Sequence, residues 1–376
     1  MAKSRSAARE ADVDARIFDT SKFINPAQVG GIERYAIDDG AGRGVRALCV
    51  NTGAGLRYRV LADRGLDIDQ AFFNADSLAF LTHKGVTPPM RGMDRGIDWL
   101  RQFPGGLLTS CGPFNIGPPG TDQGEDLSLH GVHSGTPAEI ESVVQPDPHS
   151  GRADMSITGV LRYGSLFGPC VTLRRTIASR LGMNSIDVTD EFVNAGNQPV
   201  PHAWLLHINL GYPLVDQGAE FCYDTKVEPL PNPVARERFR AGQPYKKVPA
   251  PLDAHRGSTE AVAYLYPRPR DRTGRTTVGL VNRRLGLGVA IDYNTREFPR
   301  CVNWQHWGPG EYVTALEPAN GSVEGRWKDG DDGVLDRLEA GARKTYRYRI
   351  RVASDRAGLD QLTALNATDP RSRNRP

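Results

Sequence analysis

A two-residue rhythm of apolar side chains, broken every ten residues or so by turn formers, constrains this chain more than any other feature. It is clearest between residues 155 and 215. Segments 155–162, 170–178, 185–194 and 202–210 read as strands, because alternate side chains of an extended chain share a face. Ile186, Val188 and, after a local irregularity, Phe192 alternate with Asp187 and Thr189. Leu181-Gly182 and the run from Ala195 to Pro199 supply turns. Links this short exclude the long crossovers that parallel neighbours need, so the spacing predicts a four-strand antiparallel meander.

The same rhythm returns between 258 and 350, in segments 276–281, 288–293, 312–317 and 344–350. In the last, Tyr346, Tyr348 and Ile350 alternate with arginines, which predicts one wet face. Residues 43–82 form a further strand-rich block. The 41 glycines and 27 prolines suit a chain of many hairpins. Residues 83–125 and 227–258 read as long loops, which in a compact domain are usually functional. One convincing helix is expected near 354–366, where Leu359, Leu362 and Leu365 follow a cap at Ser354. The chain thus reads as all-β: a flexible tail at 1–20, one sandwich domain at 21–353, and a helix with a frayed tail at 354–376.

Charge and cysteines narrow the class. The net charge of +3 is spread among interleaved acids and bases. No basic block with interleaved aromatics suggests a nucleic-acid groove. No apolar stretch reaches the length that spans a bilayer, and the polar N-terminus lacks the apolar core of a secretion signal. Cys49, Cys111, Cys170, Cys222 and Cys301 are odd in number and widely spaced, as expected for reduced thiols of a cytoplasmic protein.

Four residues could carry chemistry. His130 follows a Gly- and Pro-rich loop, His207 lies mid-strand, His306 sits between Trp304 and Trp307, and Glu317 ends an apolar strand before Pro318. Histidines in strands are often structural. A carboxylate after Val-Thr-Ala-Leu is less ordinary, since charged groups are seldom buried without a partner or a purpose. Its bland explanation is an ion pair, with Arg326 as the nearest candidate.

The residues also carry a resemblance. Leu129-His130-Gly131, His207-Ile-Asn209-Leu210 and Leu316-Glu317-Pro318 resemble, in order, three motifs of the aldose 1-epimerases, the galactose mutarotases and their relatives. Asp63-Arg64-Gly65-Leu-Asp67, the segment from Trp99 to Leu108 and Glu317-Pro-x-Asn320 resemble more closely an aldose-epimerase-like branch of less settled chemistry. The resemblance implies a large antiparallel β-supersandwich whose concave sheet face holds a small sugar. It further implies Glu317 as base, His207 as acid and His130 as a stabiliser of developing charge, with no cofactor and no metal.

Two departures bear on the remaining site. The His207–Asn209 spacing is one residue shorter than in the family, and the family's hydroxyl-gripping acid is not evident. Glu260 is the candidate for that acid, and Arg64, Asn209 and His306 complete the expected sugar contacts. Arg101 competes with Arg64 for the arginine position. Other readings stay open: another sugar epimerisation, isomerisation or elimination in the same pocket; a site with metal bound through His130 and His133, joined by His207 and Glu317; a phosphate-sugar epimerase; and a non-catalytic carbohydrate-binding protein. Monomer and homodimer are both compatible with the sequence.

Overall fold

The computed structural model describes residues 16–90, 95–257 and 259–368. Most of the expected N-terminal tail (1–15) and the end of the C-terminal tail (369–376) lie outside the described residues. No described helix is long and apolar enough to cross a membrane.

Three large antiparallel sheets and two two-stranded ones occur among the described residues. The N-terminal sheet has five strands, Gly31–Ala36, Arg46–Asn51, Leu56–Leu61, Asp67–Phe73 and Asp76–Ser77, paired in chain order. An eight-stranded sheet contains Asp154–Gly164, Cys170–Arg180 and Ser185–Asn194 side by side, and Ser185–Asn194 also pairs with Arg343–Ala353. A six-stranded sheet runs in the order Thr225–Pro229, Ala261–Pro267, Arg300–Gly308, Glu311–Ala319, Leu205–Leu210, Thr109–Cys111. The expected large β-sandwich is therefore present.

The meander departs from expectation at its fourth strand. Val200–Pro201 pairs with Arg337–Leu338, and the chain then crosses to the six-stranded sheet as Leu205–Leu210. The two long loops also hold more structure than their sequences announce. They contain helices Trp99–Gln102 and Pro233–Arg238, and strand Thr109–Cys111, which edges the six-stranded sheet. The C-terminal helix spans Arg356–Thr363 and is capped by Asp355, not Ser354, through a bond from the Gly358 amide. Leu359, Leu362 and Leu365 seal the outer face of the eight-stranded sheet against Val281 and Ala290.

The main core lies between the sheets. Tyr58, Leu66, Leu173, Phe192, Trp204, Leu206, Ile208, Leu316, Trp307 and Tyr346 all belong to it. The wet face expected of strand Arg343–Ala353 is seen, since Arg349 and Arg351 pair with Asp187 and Asp292 on the outside. One buried ionic knot interrupts the apolar interior. Arg175 binds Asp190 and Asp67, and also reaches the Ser110 hydroxyl and the Gly65 carbonyl. A charge out of water is tolerable only with such full pairing.

Candidate active site

Alternation gives the six-stranded sheet two different faces. In Leu205–Leu210 the even residues Leu206, Ile208 and Leu210 enter the main core. The odd residues Leu205, His207 and Asn209 face the other way. The register that pairs Leu205 with Ala319 and Ile208 with Leu316 sets His207 across from Glu317. Their Nε2 and Oε1 atoms are 3.4 Å apart. Thr109 lies opposite His207 on the other side. The next strand brings Trp304 edge-on to His207, with ring centroids 5.4 Å apart. The Trp304 indole N–H donates to the carboxylate of Glu260.

His130 arrives from a turn and not from a strand. It takes a left-handed conformation (φ 56°) with Gly131 beside it (φ 73°). A Cβ on Gly131 would meet the Gly112 carbonyl oxygen at 2.5 Å, so the turn requires glycine there. The Gly117 amide donates to His130 Nδ1, which leaves the proton of the neutral ring on Nε2. His130 and His207 meet at 5.8 Å, nearly perpendicular. Strain of this kind in a non-glycine residue is a recurrent mark of functional positions.

An aromatic wall covers the pair of histidines. Trp99 stacks on Phe103 at 4.5 Å and lies 4.7 Å from His130 and 6.1 Å from His207. Phe103 is 5.5 Å from His207. With Leu205, Val262, Val302 and Cys111 these rings form an apolar cluster separate from the main core. In the sequence the segment that begins at Trp99 carries only a resemblance, and nothing in its pattern marks a role for its rings. Trp307, the second tryptophan beside His306, points into the main core.

Burial sets the protonation of this face. It lowers His130 to about 4. It lowers His207 to about 3, with His130 adding to the effect and the Asn209 side chain opposing it. Burial raises Glu317 well above the usual carboxylate range, helped by the nearby charge of Glu260. Glu260 itself is raised by burial, against its bond from Trp304. Three buried polar atoms, His207 Nδ1, Asn209 Oδ1 and Glu317 Oε1, have no hydrogen-bond partner in the protein. Each such atom costs about 1–3 kcal/mol unless a ligand or water engages it.

The other expected residues are placed as follows. Asn209 shares the His207 face and donates to the carbonyls of Gly106 and His207 itself. His306 lies farther along the Trp304 strand, stacked on that ring at 6.3 Å and bonded to the Thr259 carbonyl. Arg64 is buried, and its guanidinium binds Thr87 and Gln102. Arg101 is exposed. Arg326 pairs with Asp122 and Glu125 instead of Glu317. His133 leaves His130 behind and joins the ionic knot through Asp67, with Tyr163 on its other nitrogen. No group of three His, Cys, Asp or Glu able to hold a metal occurs among the described residues.

Known proteins supply fold relatives for this arrangement. A family model described as a domain of unknown function, DUF4432, matches residues 42–352. No curated protein matches the sequence. A Klebsiella pneumoniae protein provisionally described as an aldose 1-epimerase superposes with a TM-score of 0.80 at 20% identity, over 92% of this chain and 90% of that one. A galactose mutarotase-like protein from Clostridium acetobutylicum gives 0.60 at 9% identity, over 86% and 98%. Galactose 1-epimerase from Lactobacillus acidophilus gives 0.56 at 11% identity, over 85% and 98%. At these identities the likeness is one of fold: a β-supersandwich of the galactose mutarotase type.

Proposed function

Since the chain belongs to the DUF4432 family, a domain of unknown function whose description names no reaction, we propose from the site itself that it is a carbohydrate isomerase, an aldose 1-epimerase that interconverts sugar anomers. The observation that carries this reading is the pair His207 and Glu317, 3.4 Å apart on one rigid sheet face, with unpartnered polar atoms on both residues.

Mutarotation needs a base to take the proton of the anomeric hydroxyl and an acid to protonate the ring oxygen. The ring opens to the aldehyde, the C1–C2 bond turns, and closure gives the other anomer. Burial favours uncharged forms, so at rest the pair is a carboxylic acid beside a neutral imidazole, with one proton to exchange between them. Moving that proton from Glu317 to His207 yields a carboxylate base and an imidazolium acid. A sugar whose anomeric hydroxyl donates to Glu317 stabilises the carboxylate and drives the transfer. His130, with its proton on Nε2, donates toward the ring oxygen. Asn209 Oδ1 and Glu260 engage hydroxyls, His306 bounds the far end, and Trp99 and Trp304 pack on C–H faces. The free cysteines, three of them buried, support a reducing cytoplasmic setting.

Anomer exchange by proton NMR over a panel of aldoses and ketoses, with and without EDTA, tests the proposal. Glu317→Gln should lower the exchange rate by about 10²–10⁴-fold. Exchange at the wild-type rate in that variant, or sugar binding without turnover, would defeat it. The second carboxylate, Glu260, supports a related reading, proton abstraction beside a sugar carbonyl. A new product in the same spectra would establish that reaction instead.

A further inference from the structure

We infer that Arg64 is a positioning residue: it clasps the segment that carries Trp99 and Phe103 and so sets the aromatic wall over His207 and His130. The clasp begins at a tight turn, where the Arg64 amide bonds back to the Leu61 carbonyl. Gly65 follows with φ 68°, and a Cβ there would meet His133 Nε2 at 2.4 Å, so the turn is wedged against the ionic knot. From this anchored base the buried guanidinium spreads to two points. One terminal nitrogen reaches the Thr87 carbonyl at 3.3 Å and hydroxyl at 3.4 Å, and Gln102 Oε1 at 3.5 Å. The other donates to the Gln102 carbonyl at 2.9 Å.

Thr87 and Gln102 stand near the two ends of one excursion of the chain. Its base is closed where the Thr82 amide meets the Pro104 carbonyl and the Thr82 hydroxyl meets the Phe103 carbonyl. The Met90 amide also donates to Gln102 Oε1. Arg64 therefore ties the outgoing and returning halves together from below. Gln102 is followed by Phe103 and closes the helical turn that begins at Trp99. On that turn Trp99 faces inward, while Leu100 and neighbouring Ile97 are exposed. The route of influence is short: Arg64 holds Gln102, Gln102 fixes Phe103 and Trp99, and these rings meet His207 and His130. The two terminal nitrogens of the planar fork serve the two points from fixed positions, an arrangement that the single nitrogen of an ammonium does not reproduce.

The test compares Arg64→Lys and Arg64→Met, each made with and without Trp99→Phe, since the Arg64 bond to the main-chain carbonyl of Gln102 can be removed only from the arginine side. Subtracting the Trp99→Phe signal isolates Trp99 among the five tryptophans. In the wild type, Trp99 fluorescence should resist acrylamide quenching. In both variants it should become readily quenched, and kcat for anomer exchange should fall on the order of ten- to a hundredfold, as expected when a positioned group drifts by about 1 Å. If Arg64→Lys fails to fold, Arg64→Met, which keeps much of the side-chain volume and removes every donor of the clasp, carries the test. Trp99 still shielded in a folded variant would overturn the inference, and a lost rate with Trp99 shielded would assign Arg64 to the sugar directly. The activity arm rests on the proposed mutarotation, whereas the quenching arm does not. An inactive wild type would thus defeat the reaction and leave the clasp to be decided by fluorescence.

Discussion

His130 holds a backbone conformation that few side chains accept, and its ring nitrogen is committed to a backbone amide. The two constraints fix where its one N–H points. Asparagine tolerates the left-handed region better than most residues, so His130→Asn isolates the imidazole from the turn. That variant should stay within about 1 kcal/mol of wild-type stability in urea unfolding, yet lose about 10²-fold in anomer exchange. Gly131→Ala should lose stability as well as rate, because its Cβ collides with the Gly112 carbonyl in the turn that holds His130. Glu317 acts as a base only when ionised, and burial holds its proton on. In the proposed mechanism that proton passes to His207, which then serves as the acid, so the rate should fall once rising pH strips it from the pair, and a rate that keeps rising there would oppose the assigned roles.

At the scale of elements, the site depends on strands being shared between a core face and a reactive face. Glu317, His207 and the Trp304–His306 strand were legible because they interrupt apolar alternation. Strand Thr109–Cys111 was not, since three residues are too few to show a period. The crossing of Leu205–Leu210 to another sheet was hidden as well. A short link reads as a hairpin, and the two-residue pairing at Val200–Pro201 that diverts the chain leaves no pattern. Asp190 appeared as an irregularity among Ile186, Val188 and Phe192. It points inward because Arg175 on the neighbouring strand needs its carboxylate. That knot joins the eight-stranded sheet to the edge of the six-stranded one through Ser110. Arg175→Met should cost about 3–5 kcal/mol in urea unfolding, because it leaves Asp67 and Asp190 buried without their cation. A loss under 1 kcal/mol would show that the knot is dispensable.

The whole molecule should feel its buried histidines in acid. His130, His202 and His207 titrate near 4, 3 and 3, held down first of all by burial. Their unfolded values lie near 6.5. The unfolded chain therefore binds more protons below about pH 6.5. Their contribution is intact above that pH and is lost as pH falls toward 3–4, at up to about 1.4 kcal/mol per pH unit for each histidine. Glu317 acts oppositely: its raised pKa gives stability that declines as pH rises above about 4.5. His202 bonds the Tyr346 hydroxyl, away from the reactive face. Urea unfolding between pH 7 and pH 4.5 should show a shallower slope in His202→Gln, by the share of one proton. An unchanged slope would mean that His202 takes up no proton on unfolding.

The two faces of Leu205–Leu210 also separate two kinds of change that selection can make. On the proposed reading, substitutions at the odd positions His207 and Asn209 revise what the protein acts on, while the even positions Leu206, Ile208 and Leu210 answer to the interior. A lineage built on this sheet can exchange its reaction without rebuilding its scaffold, which is one physical route by which a fold outlives any single chemistry.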